Sequence, residues 1–170
     1  LTTIKANEDI EPDTRRHLEE LDNLHKVESK NLKDSELVTR QKQIESILGK
    51  AEAYAQLRRL RWPKGVVCPR CSSTHVRRRP TPKESTPPSE ESDTDFKRFY
   101  ECIQCKNHLG SGEFNDLTGL PVSVIGNLQQ WLMNYFMLAM TTPSKAAQLL
   151  GMPLEHLLQI GVISQGLSHL

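Results

Sequence analysis

Four cysteines, Cys68, Cys71, Cys102 and Cys105, stand in two CxxC pairs and are the only cysteines in the chain. A CxxC turn sets two thiolates on one small loop so that both face a single ion at ~2.3 Å, and two such loops complete a tetrahedron. The pattern predicts one structural Zn2+ held by all four sulfurs, with no coordination position left over for catalysis. Disulfides in an oxidising compartment are the alternative. They fit less well, because so close a pair closes a strained ring and the opening LTTIKANEDIEPD lacks a secretory leader. His75 and His108 lie near the knuckles, where a histidine is an ordinary loop residue, a replacement ligand or a donor behind the ligands.

The rest of the composition explains why a metal is needed. The chain has 170 residues, room for one ordinary domain or two small ones, which excludes a large multidomain enzyme. Apolar residues make up 36% and aromatics 5%, against 25% charged, a thin supply for a core. An apparent zinc free energy of ~10–16 kcal/mol exceeds what such a core provides.

The net charge of +1 hides a strong segregation. Residues 53–83 carry nine basic side chains and no acid, namely Arg58, Arg59, Arg61, Lys64, Arg70, Arg77, Arg78, Arg79 and Lys83. Residues 84–95 carry five acids and no base. A basic block spanning the first CxxC pair is the electrostatic footprint of a module that meets phosphates, and we expect Arg58, Arg59, Arg61, Lys64, Arg70, Arg77, Arg78 and Arg79 to supply the contacts. The acidic block could instead fold back on the arginines and compete with that partner.

To position these residues, the fold expected is mainly α with a small β zinc ribbon, in three regions. Residues 1–60 read as an N-terminal helical hairpin. Leu18, Leu21 and Leu24 recur at helical spacing after Pro12, and residues 35–60 carry a 3.6-period apolar stripe that Gly49 threatens to interrupt. The stripes pack together or dock a partner chain. Residues 61–118 read as the ribbon: Trp62, Pro63, Lys64 and Gly65 end the helix, with Trp62 anchoring helix to ribbon, and residues 74–79 and 96–101 alternate as two strands of one hairpin. Between them, residues 80–95 form a Pro/Ser/Glu insert expected to be disordered, tolerable at a hairpin tip because loop closure costs grow only logarithmically. KNHLGSGEFNDLTGLP after Cys105 reads as loop.

Residues 119–170 read as helical. Asn127 to Met140 is apolar on most of its circumference, with Trp131, Tyr135 and Phe136 as core. Its polar interruptions, Asn127, Gln129, Gln130 and Asn134, argue against a membrane span. SKAAQLLGMP and the following residues 153–163 suggest a helix-turn-helix whose first helix is capped at Ser144. Its second helix offers Glu155, His156 and Gln159 but no Lys or Arg, so it is a poor reader of bases and is better suited to core packing or dimerisation.

The runs LRRLRWPKGVVCPRCSSTHVRRR, FYECIQC and TGLPVSVIGNLQQWLMNYFMLAM, followed by SKAAQLLGMPLEHLLQI, resemble the N-terminal part of zinc-ribbon transposases of bacterial insertion sequences. That resemblance covers residues 50–163. It implies double-stranded DNA as partner, Cys68, Cys71, Cys102 and Cys105 as zinc ligands, and a bacterial cytoplasmic, nucleoid-associated setting. In such proteins a separate carboxylate-bearing domain cuts and joins DNA, and this chain reaches Leu170 without one; a catalytic part beyond Leu170 stays open. The acidic insert and the glycine-containing KNHLGSGEF depart from the family pattern. Asp93, Asp95, Glu113 and Asp116 lack the strand context of a two-metal nuclease. Two readings remain: a non-enzymatic DNA-end-binding module, or an adaptor in a larger nucleic-acid machine that uses ribbon and N-terminal helices for protein contacts, with homodimerisation through the helices open in both.

Overall fold

The computed structural model describes residues 3–81 and 96–170. Its described residues are mainly helical, with one small antiparallel sheet. Three helices come first: α1 (Pro12–His25), α2 (Asp34–Ile47) and α3 (Lys50–Arg61). Pro12 opens α1 at a position where its missing N–H costs nothing. The expected second helix is two, because the chain turns at Leu48 and Gly49, and Gly49 adopts an extended conformation before α3 begins.

Strands β1 (Val76–Arg79) and β2 (Phe99–Cys102) pair antiparallel, Val76 opposite Cys102 and Arg79 opposite Phe99. The segment after Cys105 is more ordered than its composition suggests. It forms a short helix, α4 (Ile103–Leu109), and a third strand, β3 (Glu113–Asn115), which pairs with β2 so that the order is β1-β2-β3. The ribbon is therefore three-stranded. The acidic part of the insert, residues 84–95, lies outside the described residues, and so does any contact between it and the arginines.

Five elements complete the chain: α5 (Val122–Ile125), α6 (Leu128–Met140), α7 (Pro143–Leu150), α8 (Leu154–Gly166) and a 3-10 turn at Leu167–His169. Asn127 caps α6 by accepting from the Gln130 N–H. Thr142, not Ser144, caps α7, with Pro143 in its first turn, and Gly151 makes the left-handed turn between α7 and α8.

Two apolar clusters hold this together. The larger joins α1, α2 and α3 (Leu21, Leu37, Ile44, Leu57) to α6, α7 and α8 (Trp131, Phe136, Met137, Ala146, Leu157), so the first and last helical regions share one core with α6 at its centre. The smaller belongs to the ribbon: Trp62 meets Tyr100 edge-on at 5.5 Å and Phe114 at 6.3 Å, with Val66, Val76 and three of the cysteines around them. Trp62 is thus the expected anchor between helix and ribbon, where aromatic pairs add to plain burial.

A buried polar junction ties the two clusters. Asp116 is fully buried and accepts from the Arg58 guanidinium at 2.8 Å, the Arg98 backbone N–H at 2.8 Å and the Tyr100 hydroxyl at 2.9 Å. Arg61, one turn along α3, donates to the Asp116 carbonyl at 2.8 Å and to the Thr118 and Leu170 carbonyls. Loss of water lowers the Arg61 guanidinium to about 10, and the charge of Asp116 resists that shift.

Candidate functional site

The first knuckle is built by backbone, not by bulk. The Cys68 N–H donates to the Ser73 carbonyl at 3.0 Å and the Ser72 N–H to the Cys68 carbonyl at 2.9 Å. Ser72 takes the left-handed region at φ 59, uncommon for a residue with a side chain. The turn so formed aims the Arg70 N–H at the Cys68 sulfur, 3.4 Å away. The second knuckle is a helix start. Cys102 ends β2 and caps α4, its sulfur accepting from the Cys105 N–H at 3.5 Å. Gly112 locks this knuckle from behind: its carbonyl accepts from the Cys102 N–H at 2.8 Å.

The four sulfurs come within 4.8 Å of one another, with Cys68 to Cys105 at 3.7 Å and Cys71 to Cys102 at 3.6 Å. Those separations are too long for disulfides. They match the edge of about 3.8 Å of a tetrahedron whose corners lie ~2.3 Å from a central Zn2+. Donor chemistry agrees. Hydrogen bonding with Cys71, then loss of water, pushes the Cys105 thiol up to about 12. Burial also raises the Cys102 thiol, but the Cys105 N–H and the neighbouring sulfurs outweigh it and leave Cys102 below the ordinary value. Such a cluster ionises fully only around a cation. Cys68, Cys71, Cys102 and Cys105 form one structural zinc site. His75 and His108 are exposed and outside the cluster.

The predicted basic contacts do not form one surface. Arg58 and Arg61 are 3% and 1% exposed and spend their donors inside the protein, so neither can contact phosphate as expected. Arg59 is committed to a two-pronged pair with Asp22 at 2.7 and 3.0 Å. Burial is the largest single influence on the Asp22 carboxyl and would raise it, but the hydrogen bond and charge of Arg59 together with the charge of Lys26 outweigh it and hold the carboxyl below its usual range. Arg59 and Lys64 line a separate groove beside Trp62. Arg78 points to the inner side of the sheet, toward Arg98 and Lys97.

Arg70, Arg77 and Arg79 do come together, on the outer face. Strand alternation sends Arg77, Arg79, Phe99, Glu101, Glu113 and Asn115 to this side and Val76, Tyr100, Cys102 and Phe114 to the core. Glu101 is the hub: its buried carboxylate accepts from Arg77 Nε at 2.5 Å and pairs with Arg79 at 3.5 Å and Lys106 at 3.3 Å. Burial would raise the Glu101 carboxyl, but the hydrogen bonds from Arg77 and Lys106 prevail and lower it. Arg79 also reaches Glu113 at 3.3 Å, and Arg70 lies over β3, donating to the Glu113 carbonyl at 3.3 Å. Lys97 sits 5.6 Å above the Phe99 ring. Three cations, Arg77, Arg79 and Lys106, therefore meet two carboxylates on this face; Arg70 borders it over β3, and Lys97, which also lines the groove with Arg78, reaches it through the Phe99 ring. Lys97 precedes β2 and is placed by its contact with the Phe99 ring; Lys106 is placed by α4, in a stretch after Cys105 that reads as loop in the sequence.

On α8, Leu154, Leu158 and Val162 are exposed at helical spacing, and no Lys or Arg lies on that helix. No helix among the described residues is long and apolar enough to cross a membrane. Residues 50–108 match the family model of the transposase zinc-ribbon domain, and this stretch is a zinc ribbon of transposase type. No curated protein and no solved structure matches the chain.

Proposed function

We propose that the chain is a nucleic-acid-binding module of insertion-sequence transposase type, which grips duplex DNA near an element's ends through the outer face of its zinc ribbon and leaves cutting and joining to a separate domain. The gathering of Arg70, Arg77, Arg79, Lys97 and Lys106 on and beside one rigid face carries this reading. Their net excess over Glu101 and Glu113 suits a polyanion, and phosphate contacts position a protein on DNA without needing the base-reading helix that α8 fails to provide. A zinc held by four thiolates has no open position, so here it shapes the surface and does not react. Such a module works in the bacterial cytoplasm, at the nucleoid.

The exposed row Leu154, Leu158 and Val162 favours a second reading, a non-enzymatic adaptor or homodimer that uses α8 for protein contact. Fluorescence anisotropy of the zinc-loaded chain on duplex DNA separates the two. Five phosphate contacts give a log K against log salt slope of about −4.5, a loss of roughly 500-fold between 50 and 200 mM salt. The double variant Arg70→Gln, Lys97→Gln should reduce the slope by about 1.8. Absent binding, or a slope near zero, overturns the DNA reading and leaves the adaptor.

A further inference from the structure

Beside the cations, the outer face holds an open cleft of about 700 Å³ that phosphate contact alone does not use. Phe99 lines it, half-buried, on the central strand. The register places Arg79 on one side of Phe99 and Asn115 on the other. Arg70 and Thr118 also border the cleft. An aromatic ring with a guanidinium and an amide as strand neighbours is the combination that takes a flat heterocycle: the ring stacks on its face, and the polar groups meet its edge. The volume lies within the range of small-molecule sites and accommodates a nucleotide.

We propose that this cleft binds an unpaired nucleobase, so that the ribbon recognises a strand that has left the duplex and not the duplex alone. This rests on the nucleic-acid reading above and narrows it to a substrate class. Paired bases are stacked on both faces inside the helix and cannot reach Phe99, whereas an unpaired tail offers a free π-face. Charge complementarity fits a strand. Arg70 and Arg79 against Glu113 leave one net positive charge in the lining of the cleft, and Arg77 and Lys106, paired with Glu101, lie farther along the same face. Lys97 Nζ lies over the Phe99 ring at 5.6 Å and outside the lining of the cleft, so it can meet a backbone phosphate of the strand but not the base in the cleft.

The test compares affinities of the zinc-loaded chain for blunt DNA duplex, the same duplex with a short unpaired tail, and the single strand, alongside Phe99→Leu and Phe99→Tyr. The expected result is tighter binding of the tailed duplex than the blunt one by about 10-fold, lost in Phe99→Leu and restored in Phe99→Tyr, with blunt-duplex affinity unchanged. Equal affinity for blunt and tailed duplex, or a preference that survives Phe99→Leu, overturns the cleft assignment while the duplex reading stands. Binding to single strands but not to blunt duplex supports the cleft and overturns the duplex reading. Failure to bind any of the three overturns both. Should Phe99→Leu lose zinc, the wild-type chain decides: a photoreactive iodopyrimidine in the tail must crosslink to the peptide containing Phe99, and crosslinking elsewhere overturns the assignment.

Discussion

Gly112→Ala tests the construction of the second knuckle. A Cβ on Gly112 would stand 2.1 Å from the Cys102 carbonyl oxygen and 3.1 Å from both the Cys102 carbonyl carbon and the Lys106 nitrogen. All three are backbone, with no flexible side-chain end to swing aside. Reaching even a tight contact near ~3.0 Å requires the Cys102 carbonyl to retreat by about 0.9 Å, which breaks the 2.8 Å bond between the Cys102 N–H and the Gly112 carbonyl. A zinc ligand tolerates about 0.2 Å. We therefore expect Gly112→Ala to lower zinc affinity at least ~100-fold, above the ~10–100-fold usual for groups behind a ligand, since here the ligand's own backbone moves. Competition against a chromophoric chelator measures this, with far-ultraviolet circular dichroism checking that the helices persist. Gly110 is the internal control. It sits two residues away at φ +76, and a Cβ added there would meet nothing within 4 Å, so Gly110→Ala carries only a conformational cost of ~1 kcal/mol and should keep its zinc. Wild-type affinity in Gly112→Ala, or equal losses in the two variants, would refute this account of the knuckle.

Three other outcomes are expected. Asp116→Ala leaves the buried Arg58 guanidinium without its counter-charge, and urea unfolding should show a loss of about 3–5 kcal/mol; a loss under ~1 kcal/mol would mean that the junction between helices and ribbon is not held there. His25 is buried, bonds the Leu21 carbonyl through Nδ1 at 2.5 Å and packs on Phe136 at 4.8 Å, and loss of water lowers its pKa, with Asp22 opposing and Lys26 and Arg59 adding to the shift. Its native form is neutral, so its contribution is complete above the unfolded value of about 6.5 and is lost as pH falls below that toward the folded value. Thermal melts should show this acid-side loss, and His25→Phe should flatten it; an unchanged slope counts against the burial. Reversing Arg77 to Glu sets two carboxylates together at Glu101, so Arg77→Glu should destabilise the ribbon, whereas Arg77→Gln should be tolerated in a thermal melt followed by zinc release.

The parts of this fold written in short-range pattern were legible. Two CxxC pairs, a Pro and Gly after a helical stripe and an apolar run opened by Asn127 each carry local physics, and the knuckles, the end of α3 and α6 stand where these signals put them. Gly49 splits the second stripe because a glycine and a turn at Leu48 cost less there than a continuous helix. KNHLGSGEF misled, since its glycines and polar residues resemble a loop. Tertiary context decides instead: Cys102 caps α4, and Gly112 is needed for close approach, not for freedom. The arginines show the same limit. Composition counts Arg58 and Arg61 with Arg77 and Arg79, but only long-range partners, Asp116 for the first two and Glu101 for the others, separate buried struts from a surface. Asp116 carried no local signal at all.

Native mass spectrometry of the reduced chain, titrated with zinc and then with a chelator, tests the central claim most directly. One zinc ion per chain, bound with all four thiols blocked from alkylation and released together with the ribbon's near-ultraviolet aromatic signal, is the predicted result. A chain that keeps that signal with no metal, or whose cysteines are joined as disulfides, would contradict it.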